Sequence, residues 1–214
     1  MEVESSPVPP WDLSLLASDP ARGKYITFSR AYCEIPAVLM VRISSIVNDL
    51  KILSLPQLHE FASADVTAGA DPTFLKLLGE KHVPVVTKAG AAYDLWLKKH
   101  YGEENLRGEK TNDDAVNKFF EDDNCVAIAG LGALLQKGLS AVDSDKKQDF
   151  LLIPRPFMSV QQSIAVVKEG SEEDQQRVKH FLDSFVREKI EQGFVGETIK
   201  KYGKEEQLSV ASGN

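Results

Sequence analysis

The chain has 214 residues, of which 43% are hydrophobic and 27% charged, and its formal net charge is −7 at pH 7. A chain of this length can bury a substantial core, either as one large domain or as two smaller lobes, and its composition is ordinary for a globular protein. The excess of acidic residues leaves no basic surface field, which argues against nucleic acid as the main partner.

Predicted strands and helices alternate along the chain. Short apolar runs bounded by turn residues predict strands, and apolar residues at helical spacing predict helices. The predicted strands are 11–17, 25–28, 37–43, 83–86, 125–129, 150–153 and 163–167. The predicted helices are 55–61, 72–80, a helix from 93, 111–120, 131–139, 171–192 and 197–202. This alternation predicts an α/β fold with a mainly parallel sheet.

The clearest helix prediction is Ser171 to Gln192. Its apolar residues recur at helical spacing, and Ser171 with Asp174 forms the start of a capping box. The hydrophilic segments 101–110 and 143–149 are predicted to be loops, and the tail 204–214 is predicted to fray.

The stretch Val83 to His100 is the candidate binding element. A β-branched strand leads into the small-residue loop around Lys88, Gly90, Ala91 and Ala92, and an amphipathic helix follows. Such a junction leaves backbone N–H groups free, and together with the helix dipole they favour an anion such as a carboxylate. An ordinary turn between a strand and a helix explains the same residues.

No catalytic or metal-binding pattern is found. Cys33 and Cys125 lie far apart, and they are predicted to be free thiols, although a disulfide between them stays open. The four histidines show no ligand spacing, and no carboxylate pair or nucleophile motif is present. We therefore expect no catalytic residues, no metal and no cofactor.

The segment around Gly130 and Gly132 follows a strand and precedes a helix, like the start of a dinucleotide-binding motif. Leu135 occupies the position where that motif needs Gly or Ala, and a tight turn explains both glycines. The longest apolar run, 126–135, is too short to span a bilayer. Because the acidic, Pro-rich start is not a signal peptide, we expect a cytoplasmic location for the chain as given, or a periplasmic or secreted one if an upstream segment is missing.

Five segments, taken in order, resemble the type II periplasmic solute-binding proteins, and in particular their polar amino-acid-binding branch, family 3. They are DPARGKYITFSRAY, VVTKAGAAYDLWL, CVAIAG, VQQSIAVVKEG and GFVGETIKKYG. The resemblance implies a two-lobed fold in which a small ligand binds between the lobes. It assigns 1–36 and 160–214 to a first, incomplete lobe and 37–159 to the second, with hinges near 31–37 and 160–164.

The resemblance also implies a ligand site. Arg22 matches an arginine that clamps the ligand carboxylate, which suits the bidentate geometry of a guanidinium. Ser29 and Tyr32 complete that motif in the first lobe. In the second lobe, Lys88 matches a position that contacts the ligand. The remaining residues expected at the site, which flank the loop or follow the strand CVAIA, are Gly90, Ala91, Ala92, Tyr93 and Gly130.

Two departures from the family qualify this expectation. Gly130 stands where amino-acid binders usually have an aspartate for the α-amino group, so a carboxylate ligand without that group is compatible. The first lobe lacks about 80–100 residues that normally begin it, in a chain too short to include them. An under-built lobe exposes strand edges and apolar faces, so self-association is expected.

Two alternatives remain beside a binding module for a small carboxylate. One is an enzyme on the same fold, like the cyclohexadienyl dehydratases. The other is a truncated product that binds nothing. The sequence does not name the ligand, a transporter partner or the oligomeric state.

Overall fold

The computed structural model describes residues 13–18, 22–63, 70–202 and 209–210. The first two residues of the first predicted strand, Trp11 and Asp12, lie outside the described residues. The described chain divides into two compact units. Of the described residues, the first unit includes those up to Glu34, Gln161–Lys201 and Ser209–Val210, and the second includes those within Ile35–Val160 and also Tyr202.

Strands and helices follow one another as the sequence pattern suggests, with several different boundaries. The strands are β1 (Leu13–Ala17), β2 (Ile26–Arg42), β3 (Val85–Lys88), β4 (Leu106–Glu109), β5 (Ala127–Leu131), β6 (Phe150–Val167) and β7 (Ser209–Val210). The helices are α1 (Leu55–Ala62), α2 (Thr73–Glu80), α3 (Ala92–His100), α4 (Asn112–Glu121), α5 (Gly132–Ala141), α6 (Ser144–Lys147), α7 (Glu172–Glu191) and α8 (Phe194–Tyr202).

The second unit is built on three apolar and mostly buried strands, β3, β5 and the end of β2, with the polar strand β4 at its edge. The end of β2 pairs antiparallel with β5, and β3 lies parallel to both β5 and β4. Helices α4 and α5 pack on this sheet. Their shared core consists of Val38, Met40, Val86, Ala115, Phe119, Cys125, Ile128, Leu135 and Phe150. Val86 of β3 belongs to this core, and the candidate site lies just beyond it, where β3 ends and α3 begins.

The first unit joins β1 antiparallel to the end of β6, with Leu13 opposite Val166. The two-residue strand β7 pairs with β2, at Cys33 and Glu34. Helix α7 covers this part of the sheet, and Leu182 and Val186 of α7 form a core cluster with Ile164 of β6. The small core of this unit therefore depends on one face of α7.

The prediction of a mainly parallel sheet is wrong, because three of the strand pairings are antiparallel. The cause is the length of β2 and β6, which each replace two predicted short strands and have residues in both units. Polar residues and prolines interrupt the apolar pattern, so the pattern predicts separate strands on either side of them. Proline has a φ that suits extended backbone, so Pro36, Pro154 and Pro156 each remove a donor without ending the strand.

Three segments predicted to lack regular structure contain it. The charged segment 101–110 includes β4, which lies at the edge of the sheet among the described strands, so its residues need not be apolar. The hydrophilic segment 143–149 includes the single turn α6, and the tail predicted to fray includes β7. Cys33 and Cys125 form no disulfide, and both side chains are buried, as expected.

Candidate functional site

The loop between β3 and α3 is the best-defined part of the candidate site. Gly90 has φ +72°, a left-handed conformation that side chains other than hydrogen disfavour. A Cβ added at Gly90 would meet no atom within 4 Å, so the backbone conformation and not space requires glycine here. Ala91 follows as the residue before the helix, and it has no side chain that caps the helix start.

Asp94 fixes this loop from inside the protein. Its side chain is 0% exposed, and it accepts hydrogen bonds from the Gly90 backbone N–H at 2.8 Å and from the Thr87 hydroxyl at 2.6 Å. The Lys98 ammonium group lies 3.4 Å from the same carboxylate. A buried carboxylate with two donors and a cation is well satisfied, so Asp94 acts as a positioning residue for the loop.

Because of this arrangement, fewer backbone N–H groups of the loop are free than the sequence predicts. The Gly90 N–H donates to Asp94, and the Ala89 N–H donates to the Glu109 carbonyl at 2.8 Å. The Ala91 N–H donates to the Lys88 carbonyl at 3.2 Å. The prediction that the loop amides are free is therefore wrong for Gly90 and Ala91.

Two of the predicted donors, the backbone N–H groups of Ala92 and Tyr93, take no part in these hydrogen bonds of the loop. They belong to the first turn of α3 and have no acceptor within the helix. Within the described ranges, the structure records no other backbone acceptor for them. Two N–H groups and the positive end of the helix dipole therefore lie together at the start of α3, an arrangement that favours negative charge.

The side chains on either side of these amides have different surroundings. Lys88 is half-buried at the end of β3, and among the described residues no ion pair of its ammonium group is recorded. The Tyr93 ring is buried, and its hydroxyl donates to the Asn112 side-chain oxygen at 3.1 Å. Burial raises the pKa of Tyr93 to about 12. Tyr93 therefore ties α3 to α4 through its side chain.

Gly130 lies near the end of β5 and is buried. A Cβ at this position would come within 3.1 Å of a methyl carbon of Leu135, so a side chain here requires Leu135 to shift. The packing of α5 on β5 therefore explains the glycine without any ligand.

The three first-unit residues of the predicted site are all described. Arg22 begins a short turn, Arg22–Lys24, and is half-buried. The Ser29 hydroxyl donates to the Arg30 carbonyl at 2.6 Å and accepts from the Ile164 N–H at 3.0 Å, so it joins β2 to β6. Tyr32 packs against the small core, and burial raises its pKa to about 12. The ligand roles of these three residues stay predictions.

Asp94 is the important residue that sequence reasoning missed, since it was read as part of the polar face of α3. A signal was present: Thr87 is a polar residue in an apolar strand, and Asp94 follows it at the third position of the next helix. An acidic residue there can turn back toward the loop that precedes the helix.

Within the ranges that the structure describes, no cluster of His, Cys, Asp and Glu side chains is placed to hold a metal ion. No described helix is both long and apolar enough to cross a membrane.

No protein-family model matches the sequence, and no curated protein matches it either. Solved structures do match. A mutant of the protein ArgBP from T. maritima is 19% identical, with a TM-score of 0.54 over 88% of this chain and 66% of the other. A cysteine-binding protein from Campylobacter jejuni is 14% identical, with a TM-score of 0.58 over 94% and 70%. An ancestral amino-acid-binding protein, a precursor of cyclohexadienyl dehydratase, is 14% identical, with a TM-score of 0.57 over 92% and 70%.

These similarities confirm the expected fold. The chain has the α/β fold of the type II periplasmic solute-binding proteins, and its likeness is to their amino-acid-binding members. It spans slightly under two thirds of the length of the T. maritima structure and 70% of the other two, so the sequence includes only part of that fold.

Proposed function

We propose that this chain is a solute-binding-protein-like module that binds a small ligand through a carboxylate group. The observation that carries the proposal is the start of α3, where Ala92 and Tyr93 offer two backbone N–H groups. Ala91 brings no side chain that competes for them. A carboxylate suits this feature because it accepts two parallel hydrogen bonds and is favoured by the helix dipole.

Two cationic side chains belong to the proposal. Lys88 is the last residue of β3 and directly precedes the loop, and its ammonium group would add a point charge to the amides. Arg22 is included on the strength of the sequence resemblance alone, as the partner that grips both carboxylate oxygens. Ser29, Tyr32 and Gly130 are kept as predicted neighbours of the ligand, with the structural roles described above.

The ligand class is a small carboxylate, with amino acids as the first candidates, since the similar structures include proteins described as amino-acid binders. Gly130 supplies no carboxylate for an α-amino group, so ligands without that group belong to the same class. The enzyme alternative is tested with prephenate or arogenate, whose turnover would show elimination chemistry in place of simple binding.

A ligand panel tests the proposal directly. The purified chain is screened by thermal shift, and then by calorimetry, against amino acids and the matching carboxylic acids that lack the amino group. We expect saturable binding of at least one carboxylate, and no binding of its amide or alcohol analogue. Equal binding of the uncharged analogue, or no binding across the panel, would contradict the proposal and favour the non-binding alternative.

A matched pair of variants locates the contact. Lys88→Ala removes the cation beside the loop, while Lys99→Ala removes an exposed lysine from the other end of α3. We expect Lys88→Ala to weaken carboxylate binding several-fold and Lys99→Ala to leave it unchanged. Equal effects of the two variants would show that only net charge matters, and the assignment to this loop would be lost.

A further inference from the structure

One side of α7 is apolar and exposed. Leu182 and Val186 point into the small core of the first unit, but Phe181 is 68% exposed, Phe185 is 42% exposed and Val178 is 38% exposed. Residues three and four positions apart lie on the same side of a helix, so Val178, Phe181 and Phe185 form one continuous stripe. Large exposed apolar side chains in such a row mark an interaction surface more often than scattered ones do.

The stripe is flanked by opposite charges at its two ends. Asp174 lies one turn before Val178; its side chain is 52% exposed and pairs with Arg177 of the same helix at 3.0 Å. Lys189 lies one turn after Phe185, pairs with Glu188 at 3.4 Å, and its ammonium group sits over the Phe185 ring, 5.6 Å from the ring centroid. Surface ion pairs of this kind contribute little to stability, so either group can exchange its neighbour for one on a second copy. The order along the stripe is therefore acidic, apolar, aromatic, aromatic and basic.

The stripe is self-complementary when a second copy of α7 runs in the opposite direction. The midpoint between positions 178 and 185 is also the midpoint between 174 and 189, and it falls beside Phe181. An antiparallel copy of α7 would bring Val178 against Phe185 of that copy, and Asp174 against Lys189. Phe181 would meet its counterpart close to the two-fold axis. A parallel copy would instead place like charges together.

We propose that the α7 stripe, Val178, Phe181 and Phe185 with Asp174 and Lys189 at its ends, is the interface of a symmetric dimer of this chain. The two α7 helices pack antiparallel, and the contact is of the closed, two-fold kind in which the same patch is used on both copies. One helix face per copy is smaller than a standard interface, which uses about 20–30 residues a side. The dimer is accordingly weak and depends on protein concentration.

The first test is the oligomeric state of the full chain by sedimentation, from about 10 µM to about 1 mM, the range in which small interfaces associate. We expect a monomer–dimer equilibrium for the parent chain. Phe181→Asp should raise the dimer dissociation constant by about tenfold or more, as loss of a central aromatic contact does. Tyr25→Asp is the matched control, since Tyr25 is also an aromatic residue of the first unit and is 72% exposed.

Separate measurements show whether Phe181→Asp changes the folding of the chain as well as its association. Circular dichroism and thermal melting of Phe181→Asp should match those of the parent chain, because the ring is not part of the core. Val178→Lys is a second variant that should weaken the dimer in the same direction. A chain that remains monomeric throughout, or a dimer of unchanged strength in both stripe variants, would overturn the proposal.

The second test uses chemical cross-linking of the parent chain to determine whether the two α7 helices are antiparallel. A carbodiimide joins a carboxylate to an ammonium group only when the two are in contact. Asp174 and Lys189 of one helix are 15 residues apart, roughly 22 Å along the axis, so a cross-linked peptide pair from these positions can arise only between two copies. We expect this pair in the dimer band and its loss in Phe181→Asp. Cross-linked dimers that never include the pair would contradict the antiparallel arrangement.

Discussion

The Asp94 carboxylate accepts a hydrogen bond from the Gly90 backbone N–H at a distance of 2.8 Å. This contact holds the loop before α3 in place, but it also buries a negative charge close to where the ligand carboxylate is proposed to bind. The Lys98 ammonium group, 3.4 Å from Asp94, offsets that charge. The loop is thus held in place at its base, and the proposed anion site consists of the Ala92 and Tyr93 amides with the cations named above.

Asp94→Asn tests whether this carboxylate organises the loop. The amide keeps one acceptor, but it turns a donor toward a group that already donates, either the Gly90 N–H or the Thr87 hydroxyl. We expect a loss of about 1–3 kcal/mol in the free energy of unfolding, the usual result of leaving a buried polar group unsatisfied. Urea unfolding measures it, with the exposed Asp113→Asn as the control.

Gly90→Ala tests the left-handed conformation of the loop. The new methyl group has room, so the cost is that of a side chain at φ +72°, about 1–2 kcal/mol of folding free energy. Gly23→Ala is the matched control, because a Cβ there also meets nothing within 4 Å and no positive φ is involved. Thermal melting should separate the two variants. If both melted like the parent chain, the conformational requirement at Gly90 would be refuted.

The sequence was sufficient to predict parts of the fold that depend on local pattern. The α7 helix follows from its capping box and apolar spacing, and the start of the prediction coincides with the observed cap at Ser171. Helices α1, α2 and α4 were found in the same way. In each case the signals lie within one or two turns of the residues they specify.

What the sequence could not predict depends on partners that are distant in the chain. β2 continues as one strand through polar residues because β6 runs beside it, as the hydrogen bond from the Ile164 N–H to Ser29 shows. β4 is a strand only because β3 offers a neighbour. At the site, the Gly90 N–H is predicted to be free because the amphipathic pattern places Asp94 on the polar face of α3, whereas its side chain turns inward to accept from that N–H. The sequence also does not show that the Tyr93 hydroxyl donates to the side-chain oxygen of Asn112.

Tyr93 gives a pH-dependent prediction. Its pKa is raised from 10.0 to about 12 in the folded chain, chiefly by burial. The unfolded chain therefore loses this proton first as the pH rises. The neutral phenol of Tyr93 contributes its full share to the free energy of unfolding below about pH 10. This contribution is lost between about pH 10 and about pH 12, and for a shift of this size the loss is at most about 3 kcal/mol.

Tyr93→Phe measures that contribution. The variant loses the hydrogen bond to Asn112, so it should be slightly less stable than the parent chain at pH 8. Between pH 10 and pH 12 it should lose less stability than the parent, because it has no phenol to ionise at this position. Urea unfolding at several pH values gives both curves. Parallel curves over this interval would contradict the assigned role of burial.

The proposed contact between Arg22 and the ligand carboxylate rests on the sequence resemblance alone. If its guanidinium grips a desolvated carboxylate, Arg22→Ala should cost about 2–5 kcal/mol of binding free energy, and Arg22→Lys should restore only part of it, because an ammonium cannot bond both oxygens. The control is Lys24→Ala, an exposed cation in the same turn. Calorimetry with a ligand from the panel gives the result, and unchanged affinity in Arg22→Ala would remove Arg22 from the site.

Amide-resolved NMR during a carboxylate titration tests the central claim most directly, because it observes the proposed donors themselves. We expect the largest shifts at the Ala92 and Tyr93 amides, smaller ones at Gly90 and Ala91, and saturation at the dissociation constant that calorimetry gives. The uncharged analogue of the ligand should leave these amides unmoved. Saturable binding that shifts other parts of the chain and leaves Ala92 and Tyr93 unchanged would contradict the account.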